Sequence, residues 1–291
     1  MAHRIDREQL LKNAESIGYQ KHTLGKEITP DQKAFFDRNG FIHFKGFLSP
    51  TEVEEIKNQL AEMDQRIVAE KRTIVNGIPI KFGVDEYGKT IVQRMPFTSK
   101  FCNAVHQVIN SERMKPIIGL IENGRLGEYE KDGVVFSHYV NTLDSKYKTL
   151  GWHTDSLREV AYLEKIRPML NVGLHLDPNP LANGGLRLIP GTHTQNLFSF
   201  FFKKLYFFDT DADPREIPVE TEPGDLTVHD GRMWHRVESS PVKGTNSHRR
   251  VMYFPVLCGP YKPKTENSPT PYYFRLMAGI KHFKGLKLGK V

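Results

Sequence analysis

A mainly β fold with flanking helices, closed as a sandwich or barrel in a single domain, follows from three features of the sequence. Short strand-like segments recur from about residue 130 onward, each bounded by turn formers. Helical periodicity is concentrated in the N-terminal part, and no linker or composition break divides the 291 residues. A hydrophobic fraction of 38%, with 11% aromatics, supplies enough apolar surface for a sizeable core and excludes a disordered chain.

The elements can be justified in order. Residues 1–28 are polar and charged and read as an N-terminal extension. Thr29-Pro30-Asp31 gives an N-cap and a first-turn proline, and Asn39-Gly40 stops the helix they start. "FIHFKGF" (41–47) then alternates as a strand. Ser49-Pro50 caps a longer helix with Val53, Ile56, Leu60 and Met63 on one face. Strands follow at "GVVFSHYVNTL" (133–143), "MLNVGLHLD" (169–177), "GGLRLIPG" (184–191), "GDLTVHDG" (224–231) and "RRVMYFPVL" (249–257). "DPNPLANGG" (177–185) is dense in turn formers.

Charge and cysteine content narrow the class. Cys102 and Cys258 stand far apart in no metal-like spacing, so a reducing cytoplasm is the expectation. No apolar run approaches the roughly 20 residues that span a bilayer, and the N-terminus shows no apolar signal-like stretch. The net charge of +7 lacks the interleaved basic and aromatic clusters of a nucleic-acid surface, so no nucleic-acid partner is expected. The C-terminal segment 270–291 differs: Arg275, Lys281, Lys284, Lys287 and Lys290 accompany Tyr273, Leu276, Met277, Ile280 and Phe283 at helical spacing. Packing on the core and peripheral contact with an anionic membrane at the inner surface both fit this basic amphipathic pattern.

The chemistry-bearing residues cluster in order along the chain. His153 and Asp155 in "GWHTD" (151–155) sit two apart, so an extended backbone points both to one side, where one ion could take both. A second His-x-Asp, His175 and Asp177, ends a strand before Pro178, and its aspartate is explained as a turn former. "GDLTVHDGRMWHRV" (224–237) offers His229, within a strand and read as a satisfied core or surface histidine, and His235, after a turn. Two imidazoles and one carboxylate form the facial set that suits a redox-active ferrous ion with open positions. Arg249, fourteen residues after His235, is of the type that clamps a carboxylate, while its neighbour Arg250 faces the other way and reads as a surface strand arginine.

This order resembles the phytanoyl-CoA dioxygenase family of iron(II)/2-oxoglutarate-dependent oxygenases. The resemblance runs from "FFDRNGFIHFKGFLSPTEVEEI" (35–56) through "GWHTD" and "NGGLRLIPGTH" (183–193) to "GDLTVHDGRMWHRV" and "SHRRVMYF" (247–254). It implies a double-stranded β-helix (jelly-roll, cupin-like) core with Fe(II) held by His153, Asp155 and His235. It further implies 2-oxoglutarate paired at its far carboxylate with Arg249 and contacted by Tyr139 and Asn171. The implied reaction consumes O2, converts 2-oxoglutarate to succinate and CO2, and hydroxylates an unactivated C–H bond. Halogenating relatives carry a small residue where this chain has Asp155, so the carboxylate favours hydroxylation; desaturation and cyclisation stay open. His193, in the "PGTH" turn with Pro190 and Gly191, is read as structural.

Substrate choice is the least constrained expectation. "NLFSFFFKKLYFF" (196–208) carries seven aromatics between residues 198 and 208, which suits a core element, a lid or a membrane patch. With the basic C-terminus it points to a small or amphipathic substrate, an anionic lipid-linked one such as Kdo-lipid A among them. The alternative reading is a non-redox metal-binding jelly-roll enzyme or binding module. No sequence feature sets an oligomeric state.

Overall fold

A computed structural model describes residues 6–143, 145, 148–156, 159, 165–196, 203–207, 209–272 and 274. The basic C-terminal pattern and the aromatic run at 197–202 and 208 lie outside the described residues.

The N-terminal extension packs on the body. Helix α1 (Arg7–Ser16) is capped by Asp6, buries Leu10 and Ala14, and ties Asn13 to the carbonyls of Pro214 and Glu216. Helix α2 (Pro30–Asn39) starts at a reciprocal capping box between Thr29 and Gln32, and β1 (Phe41–Phe44) follows it directly. Helix α3 (Pro50–Ala69) starts at a second box, Ser49 with Glu52, and buries Val53, Ile56, Leu60, Met63 and Ile67. Caps of this kind contribute about 1 kcal/mol each. The sequence reading missed the strands that come next: β2 (Ile74–Val75), β3 (Ile78–Pro79), β4 (Lys81–Val84) and β5 (Thr90–Met95).

Helix α4 (Asn103–Ile109) and β6 (Arg125–Leu126) lead into the main β region. Its strands are β7 (Val135–Tyr139), β8 (Leu150–His153), β9 (Met169–His175), β10 (Gly185–Leu188) and β11 (Ile217–Pro218). β12 (Leu226–Asp230), β13 (His235–Glu238) and β14 (Arg249–Leu257) complete it. The larger sheet runs β1-β12-β9-β14-β7-β5-β4, with β6 on β14, and the smaller runs β11-β10-β13-β8. All the named pairs are antiparallel. From β7 to β14 the chain changes sheet at every step except β10 to β11, and two antiparallel sheets so connected make the jelly roll that the resemblance implies. Helix α3 packs against β5 and α4, so the apolar face read from sequence is the face that covers the larger sheet.

One glycine links this scaffold to the chemistry. Gly40 ends α2 in the left-handed region at φ +79, and its carbonyl accepts the Asp230 N–H at 2.9 Å. A Cβ there would stand 2.4 Å from His193 Nδ1 and 2.8 Å from Met233 Cε. α2 therefore docks onto the turn before His235 only because this residue has no side chain. Gly40→Ala is expected to lower stability by about 2 kcal/mol, the left-handed penalty plus displacement of His193, measured as a urea midpoint shift.

Candidate active site

The strands bring together two residues that lie far apart in the chain. His153 and His235 are direct partners across the β8–β13 pair, and their ring centroids are 4.0 Å apart. Asp155 follows β8 by two residues, and ligand atoms of His153, Asp155 and His235 all lie within 4.8 Å of one another. Both imidazoles are oriented by their own backbone. His153 Nδ1 meets the Gly151 carbonyl at 2.8 Å and His235 Nδ1 the Met233 carbonyl at 3.0 Å. Those bonds place the proton on Nδ1 and leave each Nε2 as the lone-pair donor.

The residue before each histidine anchors it. Trp152 and Trp234 are fully buried and share a cluster with Ile189, against which Tyr206 packs. Successive strand residues face opposite ways, so burying each tryptophan outside the barrel turns the next residue inward. Trp152 donates its indole N–H to the Asp211 carbonyl, and Trp234 donates its own to Gln195 Oε1. The Thr192 hydroxyl takes the Trp234 backbone N–H, which is how the "IPGTH" turn braces His235.

The described end of the aromatic insertion closes one side. Phe207 N–H bonds the Trp152 carbonyl and Trp152 N–H bonds the Asp209 carbonyl, so this segment lies along β8. A Cβ at Gly151 would stand 2.6 Å from the Phe207 carbonyl oxygen, which is why the close approach needs glycine. The Phe207 ring stacks on His153 at 4.9 Å, while Tyr206 packs on Trp234 at 4.6 Å. The described end thus serves partly as core and partly as cavity wall.

Electrostatics favour a ligating state. Burial pushes the His153 imidazolium down and the His235 imidazolium well down, so both rings are neutral at pH 7. Burial alone would raise the Asp155 carboxyl, but His235, His229 and His153 outweigh it and hold it well below the usual range. A deprotonated carboxylate and two neutral imidazoles are the forms a divalent ion takes. Asn171 Nδ2 donates to Asp155 Oδ2 at 2.9 Å, and His229 Nε2 lies 3.3 Å from the same oxygen.

His229 is the residue the sequence reading misplaced. It is buried, but it faces His235 at 4.4 Å between ring centroids and pairs in register with Asn171. The two hold Asp155 Oδ2 and so fix the orientation of the carboxylate beside His235. Partners of this kind tune affinity by 10- to 100-fold. His229→Ala is accordingly expected to weaken divalent-metal binding by about 10-fold or more, read by anaerobic Fe(II) titration.

The other named residues fall as follows. His175 bonds the Thr227 hydroxyl at 2.9 Å, and Asp177 accepts from the Arg250 guanidinium and backbone N–H, so the second His-x-Asp is structural. His193 meets the Asp37 carbonyl at 3.1 Å, also a structural place. Arg250, expected at the surface, is half-buried in that ion pair. Arg249 is 5% exposed and donates to the carbonyls of Glu238 and Lys148. Among the described residues no carboxylate lies within ion-pair distance of it, and its Nε is buried without an acceptor. Burial lowers it to about 10, so it keeps its charge at neutral pH. The Tyr139 ring lies 5.5 Å from its guanidinium carbon.

The His153–Asp155–His235 set, with Tyr139, Asn171 and Phe207, borders one cavity of about 530 Å³. That volume is typical of a small-molecule site. No helix among the described residues is long and apolar enough to cross a membrane.

Comparison with known proteins agrees with this geometry. The phytanoyl-CoA dioxygenase family profile matches residues 36–250, more than half of the chain. Ectoine dioxygenase of Bordetella parapertussis is 24% identical over 207 residues, 67% of this chain and 59% of that protein. The match thus spans under two thirds of that curated relative's length. Among solved structures, AviO1 from Streptomyces viridochromogenes superposes with a TM-score of 0.58 at 17% identity, covering 84% of this chain and all of that one. EctD from S. alaskensis, solved with 2-oxoglutarate and 5-hydroxyectoine, gives 0.57 at 14% identity, covering 87% and 89%. At such identities the structures establish the fold, and the family match, which takes in both histidines, Asp155 and Arg249, establishes that this chain belongs to the phytanoyl-CoA dioxygenase family of Fe(II)- and 2-oxoglutarate-dependent oxygenases.

Proposed function

We propose that this chain is an Fe(II)- and 2-oxoglutarate-dependent dioxygenase that hydroxylates an unactivated C–H bond of a small or amphipathic substrate, with release of succinate and CO2. The observation that carries this reading is the His153–Asp155–His235 set at one cavity, together with a buried Arg249 that packs behind the cavity-lining Tyr139 and has no carboxylate partner among the described residues. A buried guanidinium facing only carbonyls is costly unless an anion completes it, and a dicarboxylate co-substrate is such an anion.

Bound iron would supply O2 activation and the oxidation of 2-oxoglutarate. The chain's own part is positioning. His153, Asp155 and His235 would hold the ion on one face, and Asn171 with His229 keeps the carboxylate turned. Arg249, with Tyr139 beside it, would fix the far end of 2-oxoglutarate. Phe207, Leu186 and Val237 give the cavity an apolar wall that limits water near the reacting carbon. The same cavity has room for a compact molecule or for one end of an amphipathic one, an anionic lipid-linked substrate included.

Anaerobic titration with Fe(II) and 2-oxoglutarate tests the reading. The expected result is the weak visible charge-transfer absorption of a 2-oxoglutarate chelate, lost in His153→Ala. Metal binding with no such absorption and no succinate release would favour the non-redox alternative.

A further inference from the structure

We propose that the substrate carries an anionic oxyacid group, a carboxylate or a phosphate, which docks on a basic wall of the cavity formed by Lys81, Arg94 and Lys131. This rests on the reading of the cavity as an oxygenase site and adds the class of molecule that fills it. Apart from Asp155, the charged side chains lining the cavity are these three cations and one carboxylate, Asp132. They come from three places: β4, β5 and the turn before β7. Lys81 and Arg94 are direct cross-strand partners.

Arg94 carries the proposal furthest. Its Nη2 donates to Asp132 Oδ2 at 2.6 Å, while its Nη1 is buried with no acceptor. The Phe274 ring, 6.0 Å from the guanidinium carbon and also lining the cavity, shields this group from water. A desolvated guanidinium with an unfilled donor binds an oxyanion more strongly than one in solvent. Lys131 adds an ammonium 9% exposed that is ion-paired with Glu159 at 2.6 Å.

The geometry separates this wall from the co-substrate's. Arg94 pairs in register with Ser137, and Arg249 pairs with Tyr139, the next cavity-lining residue of β7. An anion at Arg94 and a dicarboxylate at Arg249 would therefore approach the triad from different strand positions. Such a wall sets which carbon is oxidised, because it fixes the length from the anionic group to the metal.

The test uses the intact chain loaded anaerobically with Fe(II) and saturating 2-oxoglutarate, at constant ionic strength. Calorimetric titrations follow inorganic phosphate, propionate and the neutral propanamide as probes. The expected result is binding of phosphate or propionate but not propanamide, weakened about 10-fold or more in Arg94→Gln and several-fold in Lys81→Gln. The stronger of the two anions identifies the headgroup chemistry. Equal binding of propanamide, or anion binding unchanged in both variants, would overturn the proposal. Lys81→Gln, on a half-exposed strand at the sheet's end, decides the matter if Arg94→Gln does not fold. The visible absorption of the loaded protein reports separately whether the oxygenase reading itself holds.

Discussion

Replacing Arg249 by glutamine is expected to raise the 2-oxoglutarate concentration for half-saturation by about 100-fold, with metal affinity little changed. The guanidinium is 5% exposed and lacks a carboxylate partner among the described residues, so it is poised to gain a charge-assisted pair on binding. Such a pair is worth about 3 kcal/mol, and each 1.4 kcal/mol is a factor of ten. Glutamine keeps a donor and loses both charge and fork. Arg249→Lys keeps the charge and loses the bidentate geometry, so it should fall between the two. Because burial brings Arg249 to about 10, its charge is constant between pH 7 and 9, and affinity for 2-oxoglutarate should weaken only as pH approaches 10. The free protein should be no less stable in Arg249→Gln, since removing an uncompensated buried charge relieves a desolvation cost. Unchanged 2-oxoglutarate titration in the variant would sink the assigned role.

The contrast between His153 or His235 and His229 shows what sequence reveals and what it hides. His153 and His235, which the structure brings together with Asp155, stood out by the His-x-Asp triplet and the spacing along the chain. Both histidines follow a tryptophan, and a buried tryptophan outside the barrel dictates an inward next residue. The capping boxes at Thr29 and Ser49 were readable for the same reason, since a cap is a relation over three residues. His229 depends instead on register. Its partner Asn171 lies on another strand, and nothing local says that the two meet at Asp155. The strands β2 to β5 were hidden by their composition. "IVNGIPIKFGVDEYGKTIVQRM" (74–95) mixes charge, glycine and proline, as the edge of a sheet does. Lys81 and Arg94 sit in that stretch, so the basic wall became visible only once β4 and β5 were seen to extend the larger sheet.

Acid should destabilise the metal-free chain well before its carboxylates titrate. Buried histidines carry the effect, His153 and His235 of the metal set among them, and outside that set two stand out. Burial, helped by the nearby charges of His248 and Arg250, lowers His138 to about 3, and burial with His43 lowers His175 to about 3. The folded values lie below the unfolded value of about 6.5, so the unfolded chain takes up protons first as pH falls. Stability contributed by the neutral rings is complete above pH 6.5 and is lost as pH falls from there toward 3. At pH 5 each ring accounts for about 2 kcal/mol, together about 4 kcal/mol out of the 5–15 typical of a domain. The packing explains why neither ring escapes. His138 is locked to His248 at 2.8 Å, which leans on Glu86, and His175 is held between Thr227 and the Tyr253 ring. Urea midpoints from pH 7.5 to 5.0 in the presence of a chelator should fall steadily below pH 6.5, and His175→Asn should reduce the pH dependence by about one proton, roughly 1.4 kcal/mol per pH unit. A midpoint constant down to pH 4 would mean that both rings protonate without leaving the fold, and acid sensitivity would then pass to carboxylates such as Asp225 and Asp177, which their ion pairs hold below the usual range against the opposing effect of burial.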